Sequence, residues 1–207
     1  MLAKWLGLDQ AYLKLELDNP TGTFKDKVTV KMFEFFEQEN ITKYTHCSSG
    51  NTARSMVWGV SQYSRPFQLE LIVAEDQLPY HCFSDHPNVR ITLLEGASYQ
   101  EAKDYTEWYT KEVLEQPAYM SFHSTMRQAG NSWQYEEAIV QSIEKNFSPT
   151  HICQPVSDGS GIYGAYRATK QAKVDGLLES LPKLCGFQTV GANPIVRGYK
   201  AGQSEYN

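Results

Sequence analysis

From residue 43 onward, short apolar stretches of strand length alternate with longer stretches of helical period. A mostly parallel sheet with helical crossovers accommodates that order. Residues 44–47, 69–74, 89–94, 151–156 and 183–188 read as strands, and a further short one is expected at 119–122. Helices are expected at 52–63, from Ser98 to about Leu114, at 133–146 and from Ile162 to about Leu178; Pro194 starts a last one at its favoured first position. Ser98 with Glu101 spells a capping box. Ahead of this series, residues 11–17 alternate apolar and polar as a half-buried strand does, and Asn19-Pro20-Thr21-Gly22 supplies turn chemistry. Phe24, Val28, Met32 and Phe36 then recur every four residues, which predicts an amphipathic helix from about Thr23 to Glu39, with Thr23 and Asp26 as its capping box.

The 207 residues make one domain, or two small lobes of one, and 41% hydrophobic content leaves enough apolar surface for a sizeable core. A net charge of −5 without a Lys/Arg cluster argues against a nucleic-acid backbone binder. The longest apolar stretches, such as Leu71-Ile72-Val73-Ala74, fall far short of the roughly 20 residues a membrane span needs. The N-terminus lacks the pattern of a signal peptide, so a reducing cytoplasm is the expected location. Cys47, Cys82, Cys153 and Cys185 have no C-x-x-C spacing and read as core thiols rather than a disulfide framework. His46-Cys47 and His81-Cys82 with His86 fit no standard zinc spacing, so no metal is expected. The chain stops just after its last expected helix with no closing strand, which suggests an incomplete domain.

Three segments place special residues where a strand or turn meets a helix. In Asn19-Pro20-Thr21-Gly22-Thr23-Phe24-Lys25-Asp26, Lys25 sits in a first helical turn, where the positive end of the macrodipole disfavours an ammonium. A lysine so placed is a candidate amine nucleophile; the plainer reading is a capped turn with an incidental lysine. In Ser48-Ser49-Gly50-Asn51-Thr52, backbone N–H groups at a helix start suit a carboxylate or phosphate, and the same residues would also make an ordinary N-cap. Gly159, Gly161 and Gly164 spell G-x-G-x-x-G in Ser157-Asp158-Gly159-Ser160-Gly161-Ile162-Tyr163-Gly164. A dinucleotide fingerprint requires an acid at the end of the next strand, and Phe187-Gln188-Thr189 has none, so the nicotinamide reading weakens. The phosphate physics of glycine amides at a helix start survives, opposed by the charge of Asp158. Arg127, expected in a polar loop, is either an anion clamp or a solvated surface charge.

Together the segments resemble the fold-type II family of pyridoxal 5′-phosphate enzymes, of the tryptophan synthase beta-like kind, and most closely its threonine synthase branch. Residues 19–26 are similar to that family's N-P-T-G-S-F-K-D, and residues 49–52 to its S-G-N-T. Pro155-Val156-Ser157-Asp158-Gly159-Ser160-Gly161 stands where the family has its glycine-rich phosphate loop, and Arg127-Gln128-Ala129-Gly130-Asn131 where threonine synthases carry R-L-E-G-Q. Residues 185–197 also resemble a family segment ending in P-I-V-R. The resemblance implies that Lys25 bonds the cofactor through its amine and moves protons. It implies that Asn51 contacts the cofactor's 3′-oxygen, that Ser49, Gly50 and Thr52 surround the substrate carboxylate, and that Ser157, Asp158, Gly159, Ser160 and Gly161 hold the cofactor phosphate. Arg127 is implied as the group that binds a substrate phosphate.

The fold so implied is α/β with two lobes, each a mostly parallel sheet flanked by helices. Residues 1–42 form the first part of a large lobe, 43–140 a small lobe, and 141–207 the second part of the large lobe, truncated at its C-terminus. The activity implied is a carbon–oxygen lyase of threonine biosynthesis, converting O-phospho-L-homoserine and water to L-threonine and phosphate. A serine/threonine dehydratase, another amino-acid synthase of the same fold, and a non-catalytic fragment are the alternatives. The expected partner is a phosphorylated amino acid, with no nucleic acid and no membrane, and a homodimer is one assembly open to the chain.

Overall fold

A computed structural model describes residues 2–48, 50–80, 85–114, 119–191 and 193–202. After α1 (Leu2–Leu6) and a 3-10 turn at Glu16–Asp18 come α2 (Lys25–Gln38), β1 (Lys43–Cys47), α3 (Asn51–Gln62), β2 (Gln68–Ala74) and β3 (Val89–Leu94). Then follow α4 (Tyr99–Trp108), continued by a π-helical turn at Tyr109–Val113, α5 (Tyr119–Glu144), β4 (His151–Pro155), α6 (Ser160–Val174), β5 (Lys183–Phe187) and α7 (Pro194–Lys200). The first three strands form a parallel sheet in the order β1-β2-β3, and β4 and β5 form a second, also parallel. No described helix is long and apolar enough to cross a membrane.

β2 is the middle strand, and its alternation serves two faces. Leu69, Leu71 and Val73 point to one side, where Val28, Met32, Phe33 and Phe36 of α2 and Ala53, Met56, Val57 and Val60 of α3 close over them. Ile72 and Ala74 point to the other, against Ala102 of α4. Each large side chain buried in this way contributes about 1.5–3 kcal/mol. The four-residue repeat that marked α2 is thus the seam that seats it on the sheet. A third cluster, Ile139 with Ala168, Ala172 and Leu178, joins α5 to α6 and the turn after it.

α5 lies between α2 and α6, and at both contacts a glycine sets the distance. A Cβ at Gly130 would stand 2.5 Å from the Val28 Cα, and one at Gly164 would stand 2.6 Å from the Asn131 backbone. The third glycine of G-x-G-x-x-G therefore serves the packing of one helix on another.

Five expectations need correction. Residues 11–17 pair with no strand among the described residues; their apolar side chains Leu13, Leu15 and Leu17 are exposed, so the alternation never meets a sheet. Residues 119–122, expected as a strand, open α5, which also absorbs the loop expected around Arg127. A run of four residues is too short for its period to separate strand from helix. Asp26 caps nothing at Thr23, since its carboxylate is taken up by Thr21. Of the supposed core thiols, Cys47 is buried, Cys185 half-buried and Cys153 exposed, while Cys82 lies outside the described residues.

Candidate active site

The turn before α2 is shaped from below by one buried carboxylate. Asp26, 2% exposed, accepts from the Thr21 N–H at 2.7 Å and the Thr21 hydroxyl at 2.6 Å. Gly22 between them takes φ +74°, a conformation glycine adopts without strain. The Thr23 hydroxyl accepts from the Lys25 N–H at 3.4 Å. Lys25 is thereby fixed as the first residue of α2, and its Nζ lies 4.3 Å from the centre of the Phe24 ring.

At the other end, β4 runs into a turn whose Gly159 has φ +88° and caps α6. The N–H of Tyr163 is bonded to the Gly159 carbonyl at 3.0 Å, so the N–H groups of Gly161 and Ile162 stand ahead of the intrahelical ladder. A Cβ at Gly161 would meet Gln154 Nε2 at 3.0 Å, so glycine keeps this mouth open. Asp158 Oδ1 accepts from the Ser160 N–H at 3.0 Å and the Ser160 hydroxyl at 2.9 Å, which takes one first-turn donor and puts a negative charge beside the remaining ones. Gln188 secures the turn from β5: its amide donates to the Ser157 carbonyl at 3.3 Å and accepts from the Val196 N–H at 3.0 Å. In the sequence this position stood out only for lacking an acid.

Both ends open into one cavity of about 1550 Å³. Its wall includes Lys25, Thr52, Ser157, Asp158, Gly159, Ser160 and Gly161, drawn from segments more than a hundred residues apart. Ser48 and His46 from the end of β1 join them, with Gln154 from β4, Gln134 from α5 and Lys103 from α4. Cys47 also lines it, but burial pushes its thiol up to about 11, against smaller downward pulls from a Thr106 hydrogen bond and the Lys103 charge. A protonated thiol is a poor nucleophile at neutral pH. Lys14, Lys103 and Lys145 also line the wall, and of these lysines Lys25 is the one placed at a helix start beside the turn at residues 19–22.

Asn51 opens α3 as an exposed residue, and neither it nor Gly50 belongs to the cavity wall among the described residues. Ser49 lies outside the described residues, as does the side chain of Arg127, whose backbone is helical in α5. The residues present fit a phosphorylated aldehyde cofactor: a primary amine and an open, glycine-lined helix start share one cavity large enough for cofactor and substrate.

Similarity to known proteins points to the same kind of cofactor. A family model described as "Pyridoxal-phosphate dependent enzyme" matches residues 1–207. Threonine synthase from Methanocaldococcus jannaschii is 24% identical over 96% of this chain and 48% of its own length. Threonine synthase from Methanosarcina acetivorans is 26% identical over 97% of this chain and again 48% of its own. The chain spans about half the length of these curated relatives. Diaminopropionate ammonia lyase from Escherichia coli superposes with a TM-score of 0.74 at 14% identity, covering 98% of this chain and 57% of that one, a likeness of fold alone.

Proposed function

This chain belongs to the family of pyridoxal-phosphate dependent enzymes, and on that premise we propose that it serves a carbon–oxygen lyase that converts O-phospho-L-homoserine and water to L-threonine and phosphate. The observation that carries the reading is that Lys25 and the turn at residues 157–161 line the same cavity. Similarity to two threonine synthases supports the choice of substrate.

In this reading the large lobe comprises residues 1–42 and 141–207 and the small lobe 43–140. The bound cofactor supplies an electron sink for the substrate's α-carbon. Lys25 Nζ takes and returns protons at the α- and β-carbons. Residues 49–52, at the start of α3, would receive the substrate carboxylate, and Asn51 would be the residue that contacts the cofactor's 3′-oxygen. Ser157, Gly159 and Gly161 hold the cofactor phosphate through backbone donors, with Ser160 in the same turn, and Asp158 orders that turn by accepting from the Ser160 N–H and hydroxyl. Arg127 takes the substrate phosphate, as a guanidinium does best in a bidentate pair.

The test is an absorbance spectrum with added pyridoxal phosphate, followed by borohydride reduction, peptide mapping and assay with O-phosphohomoserine, phosphoserine and threonine. The expected result is a reduced adduct on Lys25 that Lys25→Ala abolishes, and phosphate release with threonine formed from O-phosphohomoserine alone. An adduct on another lysine would overturn the site. Turnover of threonine or phosphoserine in preference would replace the reaction by a dehydratase.

A further inference from the structure

β4 and β5 pair in parallel with Cys153 directly opposite Cys185. In a parallel ladder, residues in register project to the same face, and their Cα atoms are held about 4.8 Å apart by the hydrogen-bond spacing of the strands. That separation lies inside the roughly 4.4–6.8 Å range of disulfides. Cys153 is exposed and lines the cavity, and Cys185 is half-buried beside it. Burial first, then the neighbouring Cys185, raise the Cys153 thiol above its ordinary range, which slows its attack without changing the register that places the two side by side. Cys47, the other described cysteine, is buried at the end of β1.

We propose that Cys153 and Cys185 form a vicinal dithiol site that reacts with small-molecule disulfides, such as glutathione disulfide, to close an intrachain bond across β4 and β5. The chemistry balances within the two reactants. The thiolate of one cysteine attacks the small disulfide, which releases one thiol and leaves a mixed disulfide on the protein. The second cysteine attacks that mixed disulfide, forms the cross-strand S–S bond and releases the second thiol. The protein gives up two electrons and two protons, and the small disulfide takes both. The bond forms two residues before Pro155, where β4 leads into the turn at residues 157–161, and on the strand that ends just before Gln188, which secures the same turn. The proposal is independent of the reaction assigned to Lys25.

The experiment incubates the 207-residue chain with excess glutathione disulfide, then blocks remaining thiols under denaturing conditions and maps peptides by mass. Of four thiols, two are expected to disappear with no added glutathione mass, in a linked peptide pair containing Cys153 and Cys185 that dithiothreitol separates. Cys185→Ser should convert Cys153 into a stable glutathione adduct, because the resolving thiol is gone. Wild-type protein carrying glutathione on either cysteine without a linked pair would overturn the proposal. So would both thiols surviving in wild type while the variant's Cys153 takes up glutathione.

Discussion

Cys47 and Lys25 line one cavity, yet burial divides their roles. The Cys47 thiol is raised from 9.0 to about 11, so the folded protein keeps this proton where the unfolded chain has released it. Below 9.0 both states hold the proton and the stabilisation is fully present; it is lost as pH rises toward 11. Urea unfolding of wild type and Cys47→Ala across that interval should therefore show wild type losing more stability than the variant. Profiles that stay parallel would show that the thiol is not desolvated. Nothing in the sequence separated Cys47 from Cys153, because each follows a short mixed stretch, Tyr44-Thr45-His46 and Thr150-His151-Ile152, and only the pairing of strands decides which face of a sheet is covered. Lys25 was legible by contrast, because turn residues and a helical repeat fix its place locally. Its support by Asp26 was legible only in part: the spacing suggested a bond to Thr23, and the carboxylate instead closes the longer loop to Thr21.

Among the elements, α5 sets the separation between Lys25 and the glycine-rich turn, since it touches α2 through Gly130 and α6 through Gly164. Lys27 reinforces the first contact, pairing with Glu137 at 2.6 Å and lying 4.2 Å from the centre of the Trp133 ring. Gly164→Ala would put a methyl 2.6 Å from the Asn131 backbone, which cannot yield as a flexible side chain can. We expect a loss of about 1–3 kcal/mol in denaturant unfolding, the usual cost of overpacking. Weaker pyridoxal phosphate binding should accompany it if the glycine-rich turn that opens α6 holds the phosphate as proposed. A stable variant with unchanged affinity would show that α5 does not govern this distance. The alternation of strands and helices and all five observed strands were readable from apolar periodicity. The first half of α5 was not, since Gly130 and Asn131 make sense in a helix only against the two helices they meet. Residues 11–17 misled for the opposite reason: their alternation was real, but they pair with no strand among the described residues.

At the scale of the whole molecule, the candidate site draws on both sheets, with Ser48 and Thr52 following β1 and the glycine-rich turn following β4. A ligand that bridges them stabilises the folded state by RT ln(1 + [L]/Kd), about 2.7 kcal/mol at a hundredfold excess over Kd. Pyridoxal phosphate and pyridoxal share the aldehyde that Lys25 would meet and differ in the phosphate. If the start of α6 holds that phosphate, the melting temperature should rise with pyridoxal phosphate and much less with pyridoxal. Lys25→Ala should lose the shared part of the shift and keep the difference. Asp158 offers a sharper version, because its charge lies beside the Gly161 and Ile162 donors while its Oδ1 orders Ser160. Asp158→Asn keeps the oxygen and removes the charge. It should widen the gap between the two ligands, with a tenfold tighter Kd corresponding to about 1.4 kcal/mol. Equal shifts for both ligands in wild type would remove residues 157–161 as the phosphate cradle. A gap that Asp158→Asn leaves unchanged would place the carboxylate away from the bound anion.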